Sequence, residues 1–100
     1  MKVGLIISTY NWIEALNQVL HSVKLQTYLP GEVVVCDDGS RSDSRNLILG
    51  LQKSFPCILK YVWQEDEGFR AAAIRNKGIN ELSTNIEYIV VIDGDMILHN

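Results

Sequence analysis

Two carboxylates separated by one glycine, Asp93-Gly94-Asp95, stand directly after the apolar run Tyr88-Ile89-Val90-Val91-Ile92. Oxygen ligands presented in this way suit a hard divalent cation, which would in turn hold a phosphate. In an extended segment, residues two apart point the same way, while Gly94 lets the backbone turn and re-aim them. The same three residues also make an ordinary polar turn after a strand. Two other clusters share the arrangement. Glu32-Val33-Val34-Val35-Cys36 stops at Asp37-Asp38-Gly39-Ser40, and Val3-Gly4-Leu5-Ile6-Ile7 is interrupted by Ser8-Thr9-Tyr10-Asn11.

The elements that must position these clusters are legible from hydrophobic period. Short β-branched runs at residues 3–7, 32–36, 57–63 and 88–92 read as strands, the last as one buried on both faces. Asn11 followed three residues later by Glu14 marks a helix start. Trp12, Ile13, Leu16, Val19, Leu20 and Val23 then recur at helical spacing, to about Gln26, before the Tyr28-Leu29-Pro30-Gly31 turn. A second helix is expected from Ser42 to Lys53, with Leu47, Ile48 and Leu51 inward and Gly50 weakening it. Gln64 to Phe69 reads as a polar acidic loop. Residues 70–82 read as a third helix in which Gly78 suits a close approach to the sheet. Strands alternating with amphipathic helices predict an α/β fold with three layers and a mainly parallel sheet.

One hundred residues at 47% apolar content make one domain or a piece of one. A net charge of −3 provides no basic field, which argues against a nucleic-acid partner. Cys36 and Cys57 both lie in apolar runs and read as reduced core residues, and the first apolar run is too short for a membrane span, so cytoplasmic residence is expected. In a parallel sheet the C-terminal strand tips share one edge, so the clusters at 8–11, 37–40 and 93–95 converge on one crevice. The first βα turn lacks Gly-x-Gly-x-x-Gly, and the chain contains no Gly-x-x-x-x-Gly-Lys-Ser/Thr. Both phosphate-cradling loops are thereby set aside.

Ile7-Ser8-Thr9-Tyr10-Asn11, Val34 to Ser40, Gly68-Phe69-Arg70 with Arg75-Asn76-Lys77-Gly78, and Ile92 to Met96 together resemble the family 2 glycosyltransferases of the GT-A fold, in order and spacing over essentially the whole chain. The Gly-Phe-Arg and Arg-Asn-x-Gly pieces look most like members that transfer galactose-type or N-acetylhexosamine units, such as chondroitin-type polymerases. The resemblance implies a UDP-sugar donor, a glycan or other hydroxyl acceptor, and Mn²⁺ or Mg²⁺. It puts Tyr10 and the backbone around Ser8 and Thr9 against the uracil, and Asp38 on the base edge. Arg70 would lie along the uracil or the diphosphate, Asp93 on the ribose or on the metal through water, and Asp95 on the metal itself. Competing readings are a core role for Tyr10, a turn and N-cap role for Asp37 and Asp38, and a solvated face for Arg75, Asn76 and above all Lys77.

The family's catalytic domain is about twice this length or more. Residues 1–100 are therefore expected to be its nucleotide-sugar-binding half, without the acceptor half that supplies the base, and inactive alone. An uncovered sheet edge, and with it a homo-oligomer, is a further expectation. Cytoplasmic residence extends in the intact protein to the membrane face. A small receiver-like signalling or binding domain is the alternative, since it also places acids at parallel strand ends. It would want a third strand ending in a lone aspartate, where this chain has Trp63-Gln64. A nucleotidyltransferase would want a glycine-rich basic loop in place of Ser8-Thr9-Tyr10-Asn11.

Overall fold

The computed structural model describes residues 2–10, 13–26, 29–39, 42–64 and 71–93, the side chains of Ser42, Asp43, Ala71, Ala72 and Asp93 excepted. Strands and helices alternate: β1 Val3–Thr9, α1 Ile13–Lys24, β2 Glu32–Asp37, α2 Ser42–Leu51, β3 Ile58–Trp63, α3 Ala71–Glu81 and β4 Tyr88–Asp93. The four strands form one sheet in the order β3-β2-β1-β4, and every pairing is parallel. The α/β, three-layer expectation therefore holds.

Side-chain alternation along the strands divides the core in two. Leu5 and Ile7 of β1, Val33 and Val35 of β2, Leu59 and Ile92 pack with Leu16, Val19, Leu20 and Val23 of α1 and Ile48 of α2. The intervening Ile6, Val34 and Cys36 face the other way and pack with Ile74 of α3. Helices α1 and α2 thus cover one face and α3 the other. The chain winds outward from β1 to β3, then crosses the opposite face to lay β4 on the far side of β1. Strand order reverses between β1 and β4, and open α/β sheets hold their ligands outside the carboxyl ends of the strands at such a reversal.

Two expectations are corrected. β1 continues through Ser8 and Thr9 instead of breaking there, because Ser8 pairs with Cys36 and Asp93, and Thr9 with Asp37. Neighbouring ladders on both sides supply hydrogen bonds that outweigh the turn preference of two hydroxyl residues. β4 is not buried on both faces. It is an edge strand, and Tyr88, Ile89, Val90 and Val91 are 42–56% exposed, leaving Ile92 as its buried apolar residue. Its apolar run tells of a buried surface that the described residues do not provide.

The end of α3 is tied down by charge. Lys60 Nζ pairs with Glu32 at 3.0 Å and donates to the Glu81 carbonyl at 2.6 Å, where a cation suits a helix C-terminus. Hydrogen bonding from Ser83, outweighing burial and aided by Lys60, holds the Glu32 carboxyl below the usual carboxylate range. The middle of α3 approaches β2 at Gly78, where a methyl group would overlap Cys36 Sγ and come within 3.5 Å of Val34 Cγ1. Burial beneath this helix pushes the Cys36 thiol up to about 12, so it is an inert core group. Cys57, half-buried, is likewise free, with burial raising its thiol.

The Gly78→Ala substitution is expected to lower stability by about 1–3 kcal/mol through overpacking. Cys36→Ala in the same chain is expected to recover much of that loss, because it removes the sulfur that the new methyl meets. Urea midpoints of the single and double variants test this coupling, and additive losses would show that α3 lifts away as a whole.

Candidate functional site

The polar rim is built by continuing the strand ladders past the last strand residues. Asp38 N donates to Thr9 O at 3.2 Å, and Gln64 N donates to Asp37 O at 3.1 Å. These bonds bring the tips of β1, β2 and β3 into step. Gly39 follows at φ 98°, a left-handed conformation that glycine adopts without a steric cost. On the other side of β1, the backbone of Asp93 is in register with Ser8. Ser8, Thr9, Asp37, Asp38 and Asp93 therefore sit on one edge, beside the β1/β4 reversal.

The two consecutive aspartates have different work. Asp37 is fully buried and accepts a hydrogen bond from Tyr61 Oη at 2.5 Å. Tyr61 is two residues short of Asp37's register partner Trp63 on β3, the diagonal same-face neighbour. A buried carboxylate needs such donors because its desolvation is otherwise uncompensated. Asp38 is 9% exposed and accepts from Gln64 Nε2 at 2.7 Å. These bonds tie the pair to Tyr61 of β3 and to Gln64 directly after it.

Tyr10 is half exposed just past the β1 tip, which removes the core reading and leaves its ring at the rim. Arg75, Asn76 and Lys77 are exposed on α3. Arg70 and Asp95, and the side chain of Asp93, lie outside the described residues. Sequence reasoning missed Tyr61 and Gln64. The sequence pattern puts Gln64 at the start of a polar loop, but it is 4% exposed and closes the ladder between β2 and β3. The available signal was positional: a polar residue directly after a strand whose neighbour also ends in polar residues.

Among the described residues no group of three or more His, Cys, Asp or Glu side chains could hold a metal ion. The rim is nonetheless an oxygen-donor set, suited to a hard cation. The carboxylates that the sequence reading puts at a cation are those of Asp93 and Asp95, and both lie outside the described side chains. Among the described residues no helix is long and apolar enough to cross a membrane.

The chain matches the model of glycosyl transferase family 2 over residues 5–100. It is similar to the hyaluronan synthase of Pasteurella multocida, 34% identical over 94 residues, which is 93% of this chain and 9% of that protein. The chondroitin synthase of Pasteurella multocida (strain Pm70) is 32% identical over 94 residues, again covering 93% of this chain and 9% of the relative. The crystal structure of S. aureus TarS superposes with a TM-score of 0.73 at 23% identity, over 95% of this chain and 17% of that one, a likeness of fold. The chain thus spans a minor part of the length of the proteins it resembles.

Replacing Tyr61 by Phe leaves the buried Asp37 carboxylate one donor short, at an expected cost of about 1–3 kcal/mol. Chemical denaturation measures it. A variant as stable as the native chain would show that other groups meet the whole hydrogen-bonding need of Asp37.

Proposed function

The chain belongs to glycosyl transferase family 2, and from that premise we propose that it is the donor-binding half of an inverting glycosyltransferase, holding a UDP-sugar with a divalent cation for transfer to an acceptor hydroxyl. The observation that carries this reading is the shared register of the β1, β2 and β4 tips at the strand-order reversal. Half-exposed Tyr10 offers a ring face to the uracil, with the β1 backbone at Ser8 and Thr9 beside it. Asp38 accepts a hydrogen bond from the base edge, and Arg70 lies along the uracil or the diphosphate. Asp93 faces the ribose or a metal-bound water. Asp95, with Asp93, would hold Mn²⁺ or Mg²⁺, which when bound stabilises the negative charge that develops on the departing nucleoside diphosphate.

The acceptor pocket and the base that deprotonates the acceptor hydroxyl are assigned outside these 100 residues, so the chain is expected to bind donor without turning it over. The likeness to hyaluronan and chondroitin synthases supports a galactose-type or N-acetylhexosamine donor within the same reading. Cytoplasmic residence goes with it, in keeping with two free thiols. Nothing at the tip of β3 favours the receiver-like alternative, since Trp63-Gln64 stands where a lone acid would be needed.

The apolar edge of β4 is assigned to a second copy of the chain. Tyr88–Ile92 carries no charge, and two copies can shield each other's exposed Tyr88, Ile89, Val90 and Val91 while pairing open backbone groups.

Calorimetric titration with UDP tests the donor reading. Binding is expected to require Mn²⁺ and to weaken about tenfold or more in Asp95→Ala, as loss of a charged ligand implies. UDP binding indifferent to both the metal and the substitution would overturn the role of Asp95. Light scattering across a concentration series tests the edge: association is expected in the native chain and loss of it in Val90→Lys, whereas a native monomer at high concentration overturns the assignment.

A further inference from the structure

The bond between Gln64 and Asp38 joins the last residues of two adjacent ladders, and both partners are almost fully buried at the rim. We propose that Gln64 is a positioning residue for donor recognition: its amide fixes the Asp38 carboxylate as the acceptor that meets the N–H of the nucleotide base. The proposal rests on the donor-binding reading and adds to it a residue that acts through Asp38.

Three observations converge on this role. The backbone fixes both partners, through Asp38 N to Thr9 O and Gln64 N to Asp37 O, so the side-chain bond of 2.7 Å joins two anchored residues. The Gln64 amide presents its NH₂ group to Asp38 Oδ1, which accepts. That group carries no charge. An amide orients the carboxylate without setting a full positive charge against it, as an arginine or lysine at the same place would. The preceding aspartate uses a different neutral donor, the Tyr61 hydroxyl, so each of the two acids is held by its own residue, on β3 or directly after it.

A pH profile separates positioning from mere packing. In Gln64→Glu, two carboxyl groups face one another where amide and carboxylate stood, and they must share a proton, so one of them titrates well above the usual carboxylate range. At pH 5 the protonated Glu can donate to Asp38 as the amide does. As pH rises the shared proton leaves, and repulsion turns the Asp38 carboxylate away. UDP titrations in the presence of Mn²⁺ are therefore expected to find Gln64→Glu within a few-fold of native affinity near pH 5 and weaker by about tenfold or more near pH 8, with Gln64→Leu weak at both. Native affinity should change far less over that range. Recovery at low pH is itself the control for folding of the Glu variant. A Gln64→Glu profile parallel to the native one, or native affinity in Gln64→Leu, overturns the positioning role while leaving the donor reading intact if Asp38→Ala abolishes binding. Failure of the native chain to bind UDP at all overturns both.

Discussion

The parallel register of β2, β1 and β4 is the constraint on which the rest depends. Pairing Thr9 with Asp37 and Ser8 with Asp93 gives three segments separated by up to 85 positions a common edge. Once that ladder forms, the polar residues ending each strand have nowhere to go but the same rim. The two additional bonds beyond the strand ends, from Asp38 and Gln64, extend this order to the groups that face outward from the sheet. A recognition site built in this way derives its rigidity from backbone hydrogen bonds instead of from the loops that follow.

Burial of acids at the rim is the cost of that arrangement, and β3 offsets it. Tyr61 and Gln64 supply one donor each to two consecutive carboxylates, both from residues that carry no charge. The opposite end of the sheet solves a similar problem with charge, using Lys60 against Glu32 and the end of α3. The contrast has a physical basis. A cation adds Coulomb attraction to the carboxylate it holds, whereas a neutral donor orients a carboxylate by hydrogen bonding alone. Gly78 completes the frame by letting α3 lie directly on Cys36, on the face that α1 and α2 leave open.

β4 is the strand whose apolar residues are most exposed. It shares a full ladder with β1, yet four of its residues keep large apolar side chains in solvent.

Much of this was written in the sequence, for reasons of period and punctuation. Alternating short β-branched runs and helical stripes specify an α/β fold, because only a parallel sheet covered by helices buries both patterns. The clusters at Ser8-Thr9, Asp37-Asp38 and Asp93-Gly94-Asp95 announce themselves because acids and hydroxyls break apolar runs. What local pattern could not determine is anything that depends on who the neighbours are. Whether Ser8 and Thr9 belong to a strand was decided by ladders on both sides of β1, and the division of labour between Asp37 and Asp38 by Tyr61 and Gln64, 24 and 26 residues further on. Exposure of β4 was decided by strand order, which places that apolar run at an edge. Sequence determines which residues want burial or a partner; only the tertiary structure determines which of them receive it, because register and strand order are properties of contacts between distant segments.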